Sequence, residues 1–503
     1  MTLRSRATLT TLALAVASAL APMAHASGFQ LREQSPSAQG NAFAGISAGG
    51  SDLSALFFNP AVMTQYDGKQ FTFGGTYVNL KAEFNGGTST RTAALLGLGF
   101  QVAPVTGASL SPISGSSSHP NAAISAVLPE FNIMYSVSKD LKLGLSVNVP
   151  FGLTTEYDAN WIGRYHALKS ELKTIDVSPS LAYRVADSFT LGVAFIARKA
   201  DAELSNGVDF GTALALKVGG GLAAAGISTV SPGPGQNSPV ANIAMGAPNA
   251  TLGTPGYATP GAWDGTAGLK GGAWGYGYKV GAIFQPSPAF RLGLAYSAAM
   301  TMTLTGDASF KYPSTMPATD LTALQAAGLR NGSGSAELNL PATASLGFDY
   351  QVNSGFAIQG EVARSTWSRF KELRVKFNTG APDSVVDENW NDTTFVSLGG
   401  TWKLNEAWTL RAGVATDQSA TDDAHRTPRI PDNDRKWVSF GGSYRWSKKV
   451  ILDFGYTRIF VAEGKMMLTS GTTSADPNLT RGNLNGSFTS AINILGGQFR
   501  YTF

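Results

Sequence analysis

Residues 27–68 read SGFQLREQSPSAQGNAFAGISAGGSDLSALFFNPAVMTQYDG. They lack the alternation of apolar and polar positions that runs through the rest of the chain. Ser35 followed by Pro36 is a helix start, a capping hydroxyl before proline at the first helical position. Ala38 to Ile46 suits a short helix. Ser51 or Asp52 can cap a second one carrying Leu53, Leu56, Phe57 and Phe58. Proline disfavours helical geometry at the residue before it, so Asn59-Pro60-Ala61 stops that helix. About forty residues with so few apolar side chains hold no core of their own. They need a surrounding wall, and the expectation is that residues 69–503 form one, a β-barrel that 27–68 plugs.

Outward from this stretch the period is two. Phe71, Phe73 and Tyr77 alternate with Thr72, Gly74 and Thr76. Leu141, Leu143, Leu145 and Val147 alternate with Lys142, Gly144, Ser146 and Asn148. Phe290, Leu292, Leu294 and Tyr296 alternate with Arg291, Gly293, Ala295 and Ser297. The pattern returns at 177–184, 189–195, 345–350, 396–403, 438–446, 452–457 and 495–503, and more weakly at 122–137, 274–284, 356–377 and 408–416. A wall between lipid and a polar lumen has this signature. A sandwich core is the alternative, but its outer face would carry more charge. The expected fold is all-β, a 14-stranded antiparallel transmembrane barrel with an N-terminal plug of short helices. Short connections at 138–140, 185–187, 285–288, 353–355, 404–407 and 447–449 alternate with long ones at 85–120, 151–172, 205–270, 309–336, 378–392, 417–434 and 468–485. Trp402, Trp408, Tyr444 and Trp446 flank the short ones, at an interface level.

Arg4 and Arg6 precede the apolar run 9–21, and Ala24-His25-Ala26 closes it as a cleavage site, so 1–26 reads as a signal peptide. The net charge of +4 falls to +2 without those two arginines, too near neutral to favour nucleic acid. With 0 cysteines there is neither a disulfide frame nor a thiolate metal site. No mature segment offers ~18 consecutive apolar residues for a membrane helix. These features together place the chain in a bacterial outer membrane or outside the cell.

The start Gly28-Phe29-Gln30-Leu31, the small-residue run after it and Asn59-Pro60-Ala61 resemble the N-terminal hatch of the FadL family. The likeness continues at Trp274 to Phe284, Asn339-Leu340-Pro341, Thr366-Trp367-Ser368 with Phe370, and 430–435 (IPDNDR). It covers most of the mature chain. The resemblance implies passive import of hydrophobic small molecules across a Gram-negative outer membrane. Long-chain fatty acids come first and aromatic or aliphatic hydrocarbons second. It implies no cofactor, a monomer, contact with outer-membrane lipid and lipopolysaccharide, and insertion by the barrel-assembly machinery, for which Phe503 is a suitable signal. A general porin is disfavoured because a hatch would block it.

The resemblance also implies positions. Ligand would land on an apolar groove between the loops 205–270 and 309–336, which carry Val208, Phe210, Leu214 and Leu216, and Leu321 and Leu324. It would pass to a pocket against the hatch and leave sideways at a strand kink corresponding to Pro150, Phe151 and Gly152. That kink has a physical cause, because proline cannot donate a ladder hydrogen bond and glycine favours bends. No other strand position supplies both. A buried carboxylate needs a cation or several donors. The positions of the family's cations fall near Leu204 and Val386, which supply none. Arg164, Lys169, Arg198, Lys199 and Arg374 are the candidate substitutes, although basic residues near an outer rim also face lipopolysaccharide. Gly45-Ile46-Ser47-Ala48-Gly49 matches a hydrolase nucleophile pattern but lacks the strand and helix that motif requires. His119, His166 and His425 stand on separate loops and form no metal set with carboxylates. A lipid hydrolase is the remaining rival, and nothing assembles its triad.

Overall fold

The computed structural model describes residues 28–50, 52–91, 112–214, 263–470 and 476–503. The expected signal peptide, Leu216 and the middle of the loops 85–120 and 205–270 lie outside these residues. Twenty strand segments form one sheet. In chain order they are β1 (Lys69–Thr90), β2 (Ala126–Ser136), β3 (Leu141–Asn148), β4 (Gly152–Glu156), β5 (Lys169–Ala186), β6 (Phe189–Asp209), β7 (Asp264–Ser287), β8 (Phe290–Ser297), β9 (Met300–Lys311), β10 (Gly332–Leu340), β11 (Thr343–Asn353), β12 (Phe356–Ser365), β13 (Glu372–Phe377), β14 (Ser384–Asp387), β15 (Thr393–Lys403), β16 (Trp408–Asp417), β17 (Arg435–Arg445), β18 (Val450–Val461), β19 (Gly464–Leu468) and β20 (Asn483–Thr502). The pairs β3/β4, β8/β9, β10/β11, β12/β13, β14/β15 and β18/β19 are each one interrupted strand. The wall therefore has 14 strands, all antiparallel. The last strand pairs with the first from Gln70↔Thr502 to Thr90↔Asn483. Closure leaves no edge strand, so the ladder of hydrogen bonds runs around the whole wall apart from the strand breaks.

The side-chain alternation follows. Phe73, Leu143, Leu181, Val193, Leu294, Leu346, Phe440 and Phe454 stand exposed on the outer face, while Thr72, Lys142, Ser146, Ser180, Asp349, Ser397, Ser439 and Asp453 are buried inside. Trp402, Trp408 and Trp446 are exposed at the short-turn end, and the Trp408 and Tyr444 rings lie 4.7 Å apart. The long loops are shorter than the sequence suggests. Strand β6 runs to Asp209 and β7 starts at Asp264, while β9 runs to Lys311 and β10 starts at Gly332.

Residues 28–66 fill the inside of the barrel. Ser35 caps the helix α1 (Pro36–Gln39) by accepting from Ala38 N at 3.1 Å. That helix stops at Gln39 instead of continuing to Ile46, because Ala42 and Phe43 take positive φ (56° and 60°). A β-carbon on Gly40 would meet the Gly441 backbone at 2.9 Å, so the chain turns where it touches the wall. Asp52 caps the 3₁₀ helix Leu53–Phe57, and Ser51 lies outside the described residues. Phe43, Ile46, Leu53, Leu56, Val62 and Met63 pack with the wall's Met134, Ile283, Phe395, Trp437 and Ile494 in one cluster. The wall thus provides the core that this stretch cannot build alone.

Candidate functional site

Asn59 fastens the inner segment to the wall. Its Oδ1 accepts from Ala61 N at 2.9 Å, capping the 3₁₀ helix Pro60–Gln65. Its Nδ2 donates to Ser47 O at 2.7 Å and to the wall carbonyls of Ala282 (3.2 Å) and Leu294 (3.4 Å). Gly281 is glycine because a β-carbon there would sit 1.9 Å from Asn59 Oδ1.

At the other end of the segment, Phe29 meets Trp367, Trp390, Phe370 and Phe151 with ring centroids 4.8, 5.6, 5.9 and 6.1 Å away. Gly28 donates its N–H to Asp432 Oδ2 at 2.8 Å, and Arg435 holds both Asp432 (2.7 Å) and the Gly28 carbonyl (3.2 Å). The run 430–435 is therefore the clasp for Gly28.

Strand three breaks at 149–151. Toward β5 its groups are satisfied: Phe151 N donates to Thr174 Oγ1 and Thr174 N to Phe151 O. Toward β2 they turn inward. Leu31 N donates to Pro150 O at 2.8 Å and Gly152 N to Phe29 O at 3.1 Å. The β2–β3 ladder runs from Ser136↔Lys142 to Phe131↔Val147 and resumes at the bridge Ala123↔Thr155. Between these, Ala126–Glu130 pairs with β1 alone among the described residues. At other interruptions backbone bonds run between adjacent parts of the wall, as where Ala298 N donates to Tyr278 O, Thr366 N to Ala342 O and Ala462 N to Asp434 O.

A cavity of about 480 Å³ occupies this unpaired stretch. Its lining runs from Leu80, Ile459 and Ile492 inside to Val127 and Ile175, which are exposed on the outer face. It shares Phe29, Leu153 and Leu172 with a small cavity of about 60 Å³, whose other walls are Leu304, Leu338, Phe370 and Ile430. That neck shares Leu204, Leu269, Leu373 and Arg429 with a third cavity of about 870 Å³ under the long loops. At the short-turn end, a separate space of about 240 Å³ is lined by Arg291, Asp349, Arg411, Arg445 and Arg500.

Val208 and Leu324 line the outer cavity. Phe210 and Leu214 are buried in the apolar cluster beside it with Trp263 and Phe310. Leu321, half-buried on the helix α2 (Ala318–Ala326), lines none of these cavities. The five basic candidates all have carboxylate partners. Arg164 pairs with Asp264 at 2.9 Å, Lys169 with Glu171 and Glu203, Arg198 with Asp176 at 2.7 Å, Lys199 with Asp201 at 3.0 Å, and Arg374 with Glu372 and Asp383. Arg374 alone of them lines the outer cavity. Two arginines of that cavity, Arg429 and Arg481, escaped the sequence reading. The readable signal was proline on both sides, Pro428 and Pro431, which pins Arg429 in a loop. Burial holds both guanidinium groups below their ordinary value, at about 10.

Ser47 bonds Glu361 and Ser345 within a 3₁₀ turn, with no histidine beside it. His119, His166 and His425 contact Asp158, the Gly482 carbonyl and Asp422 respectively, three separate places.

An apolar outer belt, a closed wall and an interior filled by residues 28–66 define an integral outer-membrane β-barrel with an internal plug. The chain belongs to the family described as "Outer membrane protein transport protein (OMPP1/FadL/TodX)", whose profile matches residues 17–503. This family consists of transporters and not of enzymes. The long-chain fatty acid transport protein of Escherichia coli K12 is 27% identical over 444 residues, 88% of this chain and 90% of that protein. Outer membrane protein P1 of Haemophilus influenzae is 27% identical over 485 residues, 95% of this chain and 96% of that one. Among solved structures, a Pseudomonas aeruginosa FadL homologue superposes with a TM-score of 0.75 at 27% identity, covering 95% of this chain and 100% of that one. The toluene transporter TbuX of Ralstonia pickettii, at 18% identity and a TM-score of 0.57 over 93% of this chain and 98% of that one, shares the fold.

Proposed function

We propose that the protein imports long-chain fatty acids by a route that starts in the outer cavity, crosses the neck beside Phe29 and leaves sideways through the wall at Pro150 to Gly152. The observation that carries this reading is the shared lining of the three cavities. Leu204, Leu269 and Leu373 join the first to the second, and Phe29, Leu153 and Leu172 join the second to the third. The physical reason for a sideways exit is the cost of the straight one. Exposing an alkyl chain to water costs about 0.8 kcal/mol per methylene, and the space toward the short turns is lined by charged groups. In this reading Val208 and Leu324 receive the ligand, with Phe210 and Leu214 supporting them, and 28–66 acts as the hatch. The relatives named for fatty acid transport support the substrate, and the pairing of all five expected cations gives an uncharged hydrocarbon its claim as second reading.

Oleate uptake by cells lacking their own fatty acid transporter tests the proposal. Expressing this chain should restore uptake, and Ala336→Phe, which fills the neck, should abolish it at equal expression. Hydrocarbon uptake without oleate uptake would establish the second reading, and oleate uptake undiminished by Ala336→Phe would remove the neck from the route.

A further inference from the structure

Three arginines line the outer cavity, Arg374, Arg429 and Arg481, and the last two differ from the first. Arg429 is 4% exposed and Arg481 7%. Among the described residues neither has a carboxylate within 4.0 Å, and every Asp and Glu of the chain lies in those residues. Arg429 donates only to uncharged groups: Ser170 Oγ at 3.0 Å, the Lys169 and Ser205 carbonyls at 3.3 and 3.4 Å, and Asn206 Oδ1 at 3.4 Å. Its Nε has no partner. Arg481 donates to Ser384 Oγ at 2.9 Å and to the Val385 carbonyl. Both line the outer cavity, and Arg481 is, after burial, the next cause that depresses Arg429. The acids whose fields reach them are Glu388 for Arg429, and Asp387 and Asp476 for Arg481. Glu388 is committed to Trp390, accepting from its Nε1 at 2.9 Å.

Two buried cations on one cavity, neither in direct contact with a carboxylate, are costly, and a buried anion would offset that cost. Their position indicates which anion. Arg481 lines the outer cavity, and Arg429 lines both that cavity and the neck, where its neighbours are Leu153, Leu172, Leu304 and Leu338. A ligand that meets both arginines has its charge there and apolar walls on either side.

We propose that Arg429 and Arg481 form a carboxylate-selecting site at the junction of the outer cavity and the neck, and that it makes the chain prefer a fatty acid over an uncharged molecule of the same length. The proposal rests on the route described above and adds its selectivity. A guanidinium fork matches a carboxylate in two parallel hydrogen bonds. Release into the neck follows when the carboxylate exchanges these donors for others.

The test measures binding of oleate and oleyl alcohol to the purified, detergent-solubilised protein and to three variants: Arg429→Gln with Arg481→Gln, the double variant with Lys at both positions, and Arg374→Gln. The heat-modifiable band in gels reports folding. The wild type should bind oleate about ten- to hundredfold tighter than the alcohol, the gain expected of hydrogen bonds to a charged group. The Gln pair should lose that preference and keep alcohol binding, the Lys pair should retain part of it, and Arg374→Gln, whose charge is already paired, should retain all of it. Equal binding of oleate and alcohol by the wild type would overturn the site while leaving the route intact. Failure of both ligands to bind folded wild type would instead overturn the route. Loss of both ligands together in a folded Gln pair would make the arginines structural and would also overturn the site.

Discussion

Gln34 and Val149 exchange two hydrogen bonds: Val149 N donates to Gln34 Oε1 at 3.0 Å, and Gln34 Nε2 donates to Val149 O at 2.7 Å. A side-chain amide thus occupies the place of a neighbouring strand, where the β2–β3 ladder has stopped. The break in the ladder is held by the inner segment and is not simply a missing strand. Gln34→Leu should leave both backbone groups of Val149 unpaired, at about 1–3 kcal/mol for buried polar groups. Hydrogen exchange should show faster opening at the Leu31 and Gly152 amides, whose acceptors are Pro150 O and Phe29 O. Unchanged protection there would mean that the side chain contributes nothing to holding the break.

Asn59 spans two systems at once, capping one helix and touching two wall carbonyls. Asn59→Ala should cost about 1–2 kcal/mol from the cap alone and should reduce oleate uptake more than it reduces the amount of folded barrel. Gly281→Ala should produce the same phenotype, since its β-carbon would strike Asn59 Oδ1. Uptake per folded molecule, measured for both variants, checks the pair. Normal uptake in both would leave this contact a turn and nothing more.

Gly28 combines a positive φ of 62° with a ring against its face, for a β-carbon would lie 2.4 Å from Trp390 Cζ3. Gly28→Ala should displace Phe29 from its aromatic surround and free Asp432 from the Gly28 N–H. The expected readout is a change in tryptophan fluorescence, together with slower uptake. A spectrum identical to wild type would show that the surround tolerates the shift.

His166 is buried against the Gly482 carbonyl, and burial, with Arg481 next, lowers its pKa from 6.5 to about 3. The unfolded or opened loop then binds a proton that the closed one does not. Stability of the closed loops is therefore fully present above pH 6.5 and is lost as pH falls from there toward 3, by about 2 kcal/mol at pH 5. Protease cleavage in the loops should accelerate between pH 7 and pH 5, and His166→Gln should flatten that dependence. An equal acceleration in the variant would assign it to other groups.

Much of the wall could be read from residue order, because lipid outside and a filled lumen inside impose a period of two on every strand. Thr72, Phe73 and Gly74 obey it, as do Ser439, Phe440 and Gly441. The inner segment was legible as an exception to that period. Its helix boundary was not, since the turn at Gly40 is set by the approach of Gly441, some four hundred positions away. Pro150 and Gly152 marked one interruption of the wall, while the breaks at 298–299, 366–371, 388–392 and 462–463 carry no such pair. The basic candidates failed for a related reason. Position along a strand says that Arg198 is present, and only the register that places Ala197 opposite Val177 and Arg198 opposite Asp176 shows its charge to be taken.

The central claim is that the break at Pro150 to Gly152 is an exit and not part of the binding site. Pro150→Thr with Gly152→Val supplies a ladder donor and removes the flexible residue, and the new side chain at 152 presses toward Leu31 Cδ1, 2.9 Å from a β-carbon there. The deciding measurement takes oleate binding to the purified protein and oleate uptake by cells on this same variant. The account predicts binding within about threefold of wild type, under ~1 kcal/mol, with uptake collapsed. Binding and uptake falling together, or uptake unchanged, would contradict it.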